Sequence, residues 1–384
     1  MNIRELETPA ILVRKNIMEQ NLLKYQRECD KYSKKLWPMV KTHKSTVLCT
    51  LQKEIGADGF LCGTLDECEA LCEKGFQNIM YAYPAAGEVS CRRAARLAKK
   101  CTFYVRIDSL EAAAMLNDAA KQELVIISYT IIVDCGLHRF GILPEKAAAF
   151  AEQLEQFEAL RFVGISSHSG HVYGECDPAK IPLYAQEEKA ALHQAALSLR
   201  EAGFDVRMVT TGSTPTFRDT VDDDVIQIYH PGNYMFHDAI QIGNRTATEN
   251  ECALAVYATV ISHPSENLFI CDAGAKCLGL DQGAHGNASV QGYGYVSGHP
   301  ELLVTGLSEE VGKLCVRPAV TDLYGRAESP HTDIKVGDRI MIIPNHTCSS
   351  ANLTDYYIMI DENENVIDWI PVDIRGNRTK KIKV

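Results

Sequence analysis

The chain has 384 residues, of which 46% are hydrophobic and 23% charged, a balance that excludes a disordered, collagenous or fibrous protein. Its 39 Lys and Arg against 50 Asp and Glu give a net charge of −11, which argues against bulk electrostatic binding to nucleic acid or anionic membranes. The opening MNIRELETPA lacks the apolar run of a signal peptide. Fourteen Cys without a CxxC pair are typical of a reducing compartment. We therefore expect a cytoplasmic protein.

Short apolar segments alternate with helical patterns through the first two-thirds of the chain. We predict eight strands, at 36–40, 58–62, 78–83, 102–107, 125–133, 162–167, 206–210 and 225–229. Between them, segments such as 65–75 carry apolar residues at helical spacing and end in a Gly suited to a helix C-terminus. This α/β pattern predicts a (β/α)8 TIM-type barrel, with a doubly wound open sheet as the alternative.

The pattern changes after about residue 250, where alternating runs such as DRIMIIP and YYIMID are separated by turn residues. The sequence thus predicts a mostly β C-terminal domain. We expect the barrel to span residues 8–248, and the β domain to span 249–384 together with the first few N-terminal residues.

Polar residues follow several of the predicted strands. In a (β/α)8 barrel the loops after the strands build the active site, so these residues are candidates for binding or catalysis. In chain order they are Lys41, Arg139, His168, Tyr173, Thr211, Gly212, Ser213, Thr214, Gly232, Asn233 and Tyr234.

The loops after strands seven and eight have the composition of an anion site. A phosphate commonly binds there in such barrels, held by backbone N–H groups and hydroxyls. Gly212 allows close approach of the backbone, Ser213 and Thr214 offer hydroxyl donors, and Gly232-Asn233 would close the other side. The alternative is an ordinary Gly/Ser/Pro turn.

Lys41 emerges from the first apolar strand. A partly desolvated lysine loses its proton more readily and can form a Schiff base, although Lys41 could instead pair with a carboxylate of the barrel. A lysine and a phosphate cup together indicate pyridoxal phosphate. His168 would then face the cofactor ring, and Arg139 would address its phenolic oxygen or the substrate; the alternative for both is a structural role.

His346 and Cys348 follow an apolar strand of the predicted β domain. An imidazole and a thiolate together suit zinc. Two ligands make a short motif, however, and a packed His beside a buried Cys is the alternative interpretation.

Together these motifs resemble a known family. The chain is similar to the fold-type III pyridoxal-phosphate enzymes of the D-threonine aldolase and D-serine dehydratase group, relatives of alanine racemase. The resemblance implies a barrel followed by a β domain, a homodimer with shared active sites, and Lys41 as the Schiff-base lysine. The matching stretches are TPAILVRKNIMEQN, VKTHKS, DCGLHRFGI, SSHSGHVY, TTGSTPT, HPGNYMF, DAGAKCL, LSEE and PNHTCSSANL.

The metal motif separates reactions within that group. Its dehydratase-like members resemble His-x-Cys zinc proteins, whereas the aldolases usually carry His-x-Asp and prefer harder ions such as Mn²⁺. Cys348 therefore favours a zinc-dependent dehydratase of a D-β-hydroxy amino acid, with D-serine giving pyruvate and ammonia. The alternatives are retro-aldol cleavage of D-threonine or another 3-hydroxy amino acid, with Mn²⁺ or another divalent ion, then an amino-acid racemase, and then a cofactor-binding regulatory protein.

Two positions depart from the pattern of the group. Many relatives have Arg where this chain has His230, and His where it has Val311. By the resemblance, we expect the first departure to affect the polar surroundings of the cofactor or its phosphate loop, and the second to affect the surroundings of the metal or the substrate specificity.

Overall fold

The computed structural model describes residues 1–282, 290–318, 320–321, 327–328 and 331–375. It divides into two compact units. The barrel unit comprises Leu22–Val172, Ala179–Gly232 and, of the described residues, 373–375. The β unit comprises Met1–Asn21, Tyr173–Pro178 and the described part of Asn233–Val372.

The strands of the described residues are numbered in chain order. They are β1 (Ala10–Arg14), β2 (Lys35–Leu36), β3 (Phe60–Cys62), β4 (Ile79–Tyr81), β5 (Phe103–Ile107), β6 (Ile127–Ile132), β7 (Leu160–Ser166), β8 (Met208–Thr211), β9 (Ile228–Tyr229), β10 (Leu254–Ser265), β11 (Leu268–Cys271), β12 (Tyr295–Val296), β13 (Leu302–Leu307), β14 (Gly312–Val316), β15 (Val320–Thr321), β16 (Ala327–Glu328), β17 (Arg339–Ile343), β18 (Tyr356–Ile360) and β19 (Val366–Pro371).

The α-helices are numbered in the same way. They are α1 (Lys15–Lys31), α2 (Thr46–Ile55), α3 (Leu65–Glu73), α4 (Glu88–Ala98), α5 (Leu110–Gln122), α6 (Ala147–Leu154), α7 (Ile181–Glu201), α8 (Phe217–Thr220), α9 (Ala239–Gly243), α10 (Ala275–Leu278) and α11 (Thr347–Ser350). Among the described residues, no helix combines the length and the apolar character needed to cross a membrane.

Eight parallel strands form the sheet of the barrel unit, in the order β2-β9-β8-β7-β6-β5-β4-β3. The chain just after β2 joins the two ends of this order: Met39 bridges Leu61 in parallel, and the Leu61 N–H donates to the Pro38 carbonyl at 3.0 Å. The predicted TIM-type fold is confirmed, and an open sheet is excluded.

All eight predicted strands are present, with ends within a few residues of those expected. The first predicted strand, 36–40, is the least regular. Strand β2 ends at Leu36, and a 3-10 turn begins at Val40. Apolar side chains fill the interior of the barrel, where one buried cluster comprises Trp37, Met39, Leu61, Met80, Ala82 and Ile228.

Helix α3 shows how local sequence sets the ends of an element. The Thr64 hydroxyl accepts a hydrogen bond from the Glu67 N–H at the N-terminus. At the other end Gly75 adopts a φ of +83°, which is the left-handed conformation expected beyond a helix C-terminus. The predicted helix over 65–75 is therefore confirmed in type and position.

A nine-stranded sheet forms the framework of the β unit. Its main path is β13-β14-β11-β10-β1-β18-β19, and β17 pairs with both β10 and β12. The N-terminal strand β1 lies in the middle of this path, antiparallel to β10 and parallel to β18. One buried cluster of this unit comprises Ile3, Leu6, Leu12, Tyr257, Ile358 and Ile360. The predicted mostly β C-terminal domain is confirmed.

The compact units differ in four places from the expected domain boundaries. Residues 8–21, 173–178 and 233–248 group with the β unit, although the sequence placed them in the barrel, and the described residues 373–375 group with the barrel unit. For the first segment the reason is that β1 pairs inside the β sheet. The boundaries 8–248 and 249–384 remain predictions, and residues 376–384 lie outside the described residues.

Gly164 provides a test of the contact between β7 and β8. It has a φ of +152°, and a Cβ placed on it would lie 1.8 Å from the Met208 carbonyl oxygen. We expect Gly164→Ala to lower the free energy of unfolding by about 3 kcal/mol or more, because strand β8 would have to move. Urea unfolding measures this change.

Gly203 is the matched control, because its φ is +91° but nothing lies within 4 Å of the added Cβ. Gly203→Ala should cost only about 1 kcal/mol, from backbone strain alone. Equal effects of the two substitutions would contradict the assigned contact between the strands.

Candidate active site

Lys41 lies at the C-terminal end of the barrel, in the 3-10 turn Val40–Thr42. Its side chain is half-buried. Gly63, at the end of the neighbouring strand β3, packs closely against it, since a Cβ on Gly63 would lie 3.3 Å from the Lys41 Cβ. The backbone therefore holds Lys41 at the mouth of the barrel.

A second lysine near this mouth has a structural partner. Lys44 forms an ion pair with Glu67, whose side chain is fully buried, and the Gly63 N–H donates to the other Glu67 oxygen at 2.6 Å. Glu67 thus ties the chain around Lys41 to the loop after β3.

The loops that follow β8, β9 and β2 converge closely. A Cβ on Gly212 would lie 2.5 Å from the His230 carbonyl carbon, and a Cβ on Gly232 would lie 2.9 Å from the Thr42 Oγ1. Only glycine allows these backbones to approach so closely. The predicted cup residues Gly212 and Gly232 are therefore brought together with the turn that carries Lys41.

Hydroxyl groups line the loop after β8. The Thr211 and Thr216 hydroxyls both donate to Glu188 of α7, the second at 2.7 Å. Ser213 is buried, and its Oγ has no hydrogen-bond partner among the described residues. The Glu188 carboxylate thus fixes both ends of the loop. The buried Ser213 hydroxyl of the same loop is available to a ligand.

Glu188 was missed by the sequence analysis. It lies within a helical run, EEKAALHQAA, whose pattern gives no sign that one of two adjacent glutamates is fully buried. Burial raises the pKa of Glu188, and the hydrogen bonds from Thr211 and Thr216 lower it. Burial prevails, so the pKa of Glu188 is about 6.

His168 is held in one orientation above β7. Its Nδ1 donates to the Gly212 carbonyl oxygen, which leaves Nε2 as the unprotonated nitrogen of the neutral ring. Burial, together with the nearby positive charges of Lys41 and Arg139, lowers the pKa of His168 to about 3. The ring is therefore neutral at physiological pH.

Arg106 is a buried cation of strand β5 that the sequence analysis did not identify. It is 3% exposed, and its Nη2 has no partner among the described residues. Burial lowers its pKa to about 9. Arg106 shares the interior of the barrel with Met80, whose sulfur lies 3.3 Å from the Arg106 Nε, so pattern alone would have predicted an apolar residue there.

His230, the first of the two departures from the resembled group, directly follows strand β9. It is buried, its Nδ1 donates to the Trp37 carbonyl at 2.8 Å, and its Nε2 has no partner among the described residues. Burial and the nearby Arg106 lower the pKa of His230 well below its usual value. Arg106 supplies a positive charge in this part of the barrel, where His230 itself is neutral.

Arg139 differs from these residues because it is exposed. Its guanidinium carbon lies 4.4 Å from the ring centre of Phe140 and 5.8 Å from that of Tyr83. Such cation–π contacts orient the side chain while leaving its N–H donors accessible.

The β unit carries the predicted metal pair. His346 and Cys348 are half-buried at the start of helix α11. Burial lowers the pKa of His346, but interactions with Cys348 and Asp238 outweigh it and raise that pKa well above its usual value. The imidazole and the sulfur therefore interact directly.

Asp238 organises this pair and was missed by the sequence analysis. Its Oδ2 accepts from the His346 Nδ1 at 3.2 Å and from the Thr347 N–H at 3.1 Å, and also from the Asn233 amide. Its Oδ1 accepts from the Gln241 N–H at the start of α9. The sequence signals a helix cap at Asp238, but the contact with His346 spans 108 residues and leaves no local sign.

Three of the expected cofactor neighbours belong to the β unit. Asn233 and Tyr234 lie in the 3-10 turn Asn233–Met235, and Tyr173 belongs to the segment Tyr173–Pro178. The Asn233 amide donates to Asp238, so its anchor is the carboxylate that orients His346. Thr214, like Ser213, is buried in the barrel unit.

Among the described residues, three groups that could together hold a metal ion meet at one other place, formed by His193, Asp223 and Asp224. It lies in the barrel unit, and Asp224 is 89% exposed. The Asp223 carboxylate already accepts from the Val225 and Ile226 N–H groups. The cluster thus joins His193 of helix α7 to a partly exposed turn whose Asp223 carboxylate is occupied by backbone N–H groups.

Two family models match the chain. The N-terminal domain of alanine racemase matches residues 13–239, more than half of the chain. A serine dehydratase domain matches residues 253–360. The matched regions follow one another without overlap.

Characterised relatives match over nearly the whole length. D-threo-3-hydroxyaspartate dehydratase of Delftia sp. is 29% identical over 95% of this chain and 97% of its own. D-serine dehydratase of Dictyostelium discoideum is 28% identical, and the match covers 96% of this chain and 98% of the relative. D-threonine aldolase of Arthrobacter sp. is 25% identical, and the match covers 97% of this chain and 94% of the relative.

The solved structure of the Delftia enzyme superposes with a TM-score of 0.86 at 28% identity, covering 96% of this chain and 98% of that one. A Cys-to-Ala mutant of D-threo-3-hydroxyaspartate dehydratase, solved in the metal-free form, also gives a TM-score of 0.86, at 27% identity over 97% and 99% of the two chains.

The lowered pKa of His168 generates a prediction for stability against pH. In the unfolded chain a histidine has a pKa of about 6.5. In the folded chain the pKa of His168 is about 3. Below pH 6.5 the unfolded state therefore binds the proton first. Wild type should lose up to about 1.4 kcal/mol more per pH unit than His168→Asn as the pH falls below 6.5 toward 3. Parallel stability curves would refute the assignment.

Asp238 generates a second prediction. Asp238→Ala leaves the Asn233 amide and the His346 and Thr347 N–H groups without their acceptor, so we expect it to cost about 3 kcal/mol of unfolding free energy. Asp238→Asn is the matched control, because it keeps the shape and one oxygen, and should cost less. Guanidinium unfolding measures both, and equal stability of Asp238→Ala and wild type would contradict this role.

Proposed function

The chain belongs to the family of proteins built on the N-terminal domain of alanine racemase, and from that premise we propose that it is a pyridoxal-phosphate- and zinc-dependent dehydratase of D-β-hydroxy amino acids. D-Serine, giving pyruvate and ammonia, is the proposed substrate. The observation that carries the proposal is the pair His346 and Cys348, held by the buried Asp238.

The barrel residues fit pyridoxal phosphate. The Ser213 Oγ, the Arg106 Nη2 and the His230 Nε2 are buried polar atoms without a partner among the described residues, and such atoms call for a polar ligand. Gly212 leaves no room for a side chain beside them. We assign covalent attachment to Lys41, phosphate binding to Gly212, Ser213, Thr214 and Gly232, and contacts with the ring and its phenolic oxygen to His168 and Arg139.

The proposed base is Lys41. When bound, pyridoxal phosphate supplies an electron sink for the electrons left at Cα after proton removal. The Lys41 amine accepts that proton, because its position at the mouth of the barrel leaves it half-buried and close to the cup. His168 stays neutral beside it and adds no charge.

The β unit would supply the metal ligands. Because the His346 Nδ1 is engaged with Asp238, its Nε2 is the nitrogen left for a metal, and the carboxylate raises the basicity of the ring. A thiolate at Cys348 selects zinc over manganese or magnesium. Bound zinc would act as a Lewis acid on the departing β-hydroxyl.

The second candidate is retro-aldol cleavage of a D-3-hydroxy amino acid. It is favoured by the full-length match to D-threonine aldolase. The thiolate ligand argues against it on metal preference, and the products distinguish the two reactions directly.

We also propose that the protein is a cytoplasmic homodimer with a small-molecule substrate. The dimer follows from the family resemblance. A reducing compartment is supported by the fourteen cysteines, all of them described and none in a disulfide. Sedimentation equilibrium of the purified protein tests the dimer.

Product analysis with D-serine and D-threonine tests the function. We expect ammonia with pyruvate or 2-oxobutanoate, and we expect both to disappear after chelation and to return with zinc. Glycine with acetaldehyde from D-threonine would establish the aldolase instead.

Substitutions assign the parts of the reaction. Cys348→Ala should lower elimination by at least about 100-fold while leaving cofactor absorbance intact, because only the leaving group loses its Lewis acid. Cys315→Ala, at another half-buried cysteine of the β unit, is the control and should keep full activity. Full metal-free activity of Cys348→Ala would exclude the proposed metal role.

A further inference from the structure

Glu188 is a buried carboxylate with no cation beside it. Its side chain is fully buried on α7, and no Lys, Arg or His of the described residues pairs with it. Its two oxygens accept instead from the Thr211 and Thr216 hydroxyls. These two threonines are the ends of the loop 211–216, so Glu188 holds both ends of the proposed phosphate loop.

The number of protons in this cluster decides which way the hydroxyls point. A threonine hydroxyl has a single O–H to donate. While Glu188 is ionised, the Thr211 and Thr216 protons are both directed at the carboxylate. If Glu188 is protonated, its own O–H can donate to one of the threonines, whose hydroxyl proton is then free to point elsewhere.

Thr211 is the threonine in a position to use this freedom. It directly precedes Gly212 and Ser213, where the backbone is too tightly packed for a side chain and where the buried Ser213 Oγ has no partner among the described residues. A ligand with several acceptor oxygens would satisfy both hydroxyls. Thr216, at the far end of the loop, adjoins Phe217, which is buried at the start of α8.

We propose that Glu188 is a positioning residue of the phosphate loop, and that its protonation turns the Thr211 hydroxyl from the carboxyl group toward the bound phosphate. The inference rests on the proposed function, since the phosphate is that of pyridoxal phosphate. It adds that cofactor binding takes up a proton at Glu188.

The surroundings of Glu188 make this proton uptake specific. Among the described residues, the Cys135 thiol and the Tyr229 phenol interact electrostatically with Glu188. Burial raises the pKa of Cys135 to about 12 and the pKa of Tyr229 well above its usual value. Both stay neutral at physiological pH, whereas burial brings the pKa of Glu188 to about 6. Glu188 is therefore the group of this cluster that changes charge near neutrality.

The linkage fixes the direction of the effect. A phosphate that accepts the Thr211 proton takes a hydrogen-bond donor away from the ionised Glu188. This loss favours the neutral carboxyl, so the pKa of Glu188 is higher in the complex than in the free protein. Above the free pKa, binding then requires a proton, and affinity falls as the pH rises. A rise of one pKa unit on binding corresponds to about a tenfold loss of affinity.

Glu188→Gln is the decisive variant. An amide offers one donor and one acceptor to the two threonines at every pH, as the protonated carboxyl does. We would measure the dissociation constant of pyridoxal phosphate for wild type and variant from pH 5.5 to 8. Dividing the wild-type dissociation constant by that of the variant cancels the titration of the ligand itself. We expect this ratio to rise about tenfold from pH 5.5 to pH 8.

Glu187→Gln is the matched control, because it removes the same charge one residue away, where the side chain is 64% exposed. The ratio of the wild-type dissociation constant to that of Glu187→Gln should not change with pH. Pyridoxal, which lacks the phosphate, is the control ligand and should show no Glu188-dependent change. Thr211→Val should remove the pH dependence by another route, and it provides the test if Glu188→Gln fails to fold.

The outcomes separate this inference from the proposed function. A constant ratio between wild type and Glu188→Gln, with wild type binding pyridoxal phosphate at Lys41 after borohydride reduction, overturns the role of Glu188 alone. An equal change in ratio with pyridoxal also overturns it, because the phosphate would not be involved. A wild-type protein that binds no pyridoxal phosphate overturns both.

Discussion

The barrel unit depends on one short extended segment that pairs on both sides. The Trp37 and Met39 N–H groups donate to the carbonyls of Tyr229 and Pro231, while the Pro38 carbonyl accepts from Leu61. These hydrogen bonds close the ring between β9 and β3. Because parallel strands all end on the same side, closure gathers the loops after them at one mouth. Lys41 lies two residues beyond this segment, so the same bonds that close the barrel place the proposed base.

Each unit contains a buried carboxylate that has no lysine or arginine partner among the described residues and that organises a candidate loop of its own unit. Glu188 accepts from Thr211 and Thr216 in the barrel unit, and Asp238 accepts from His346 and its neighbours in the β unit. A buried carboxylate satisfied by hydrogen bonds fixes the groups that donate to it, since releasing them would leave its charge uncompensated. Each carboxylate thus makes a loop geometry part of the stable fold.

Sequence reasoning worked best where the signal was local. The eight strands of the barrel and helix α3 are present as predicted, because β-branched runs and helix caps act over a few residues. Gly212 and Gly232 were singled out for an anion site, which stays a prediction; the close approaches that the structure shows are to the His230 backbone and the Thr42 hydroxyl. Glu188, Arg106 and Asp238 were missed, because each acquires its role from residues distant in sequence.

The sequence by itself determined the strand–helix alternation, the order of the motifs and the residue types available for chemistry. It could do so because hydrophobic periodicity and turn composition are properties of neighbouring residues. The tertiary structure decided which polar groups are buried together: Glu188 behind the loop at Thr211, Arg106 inside the barrel, and Asp238 beside His346. It also placed β1 inside the β sheet. The physical reason is that burial and hydrogen bonding depend on contacts across the fold, which no local pattern records.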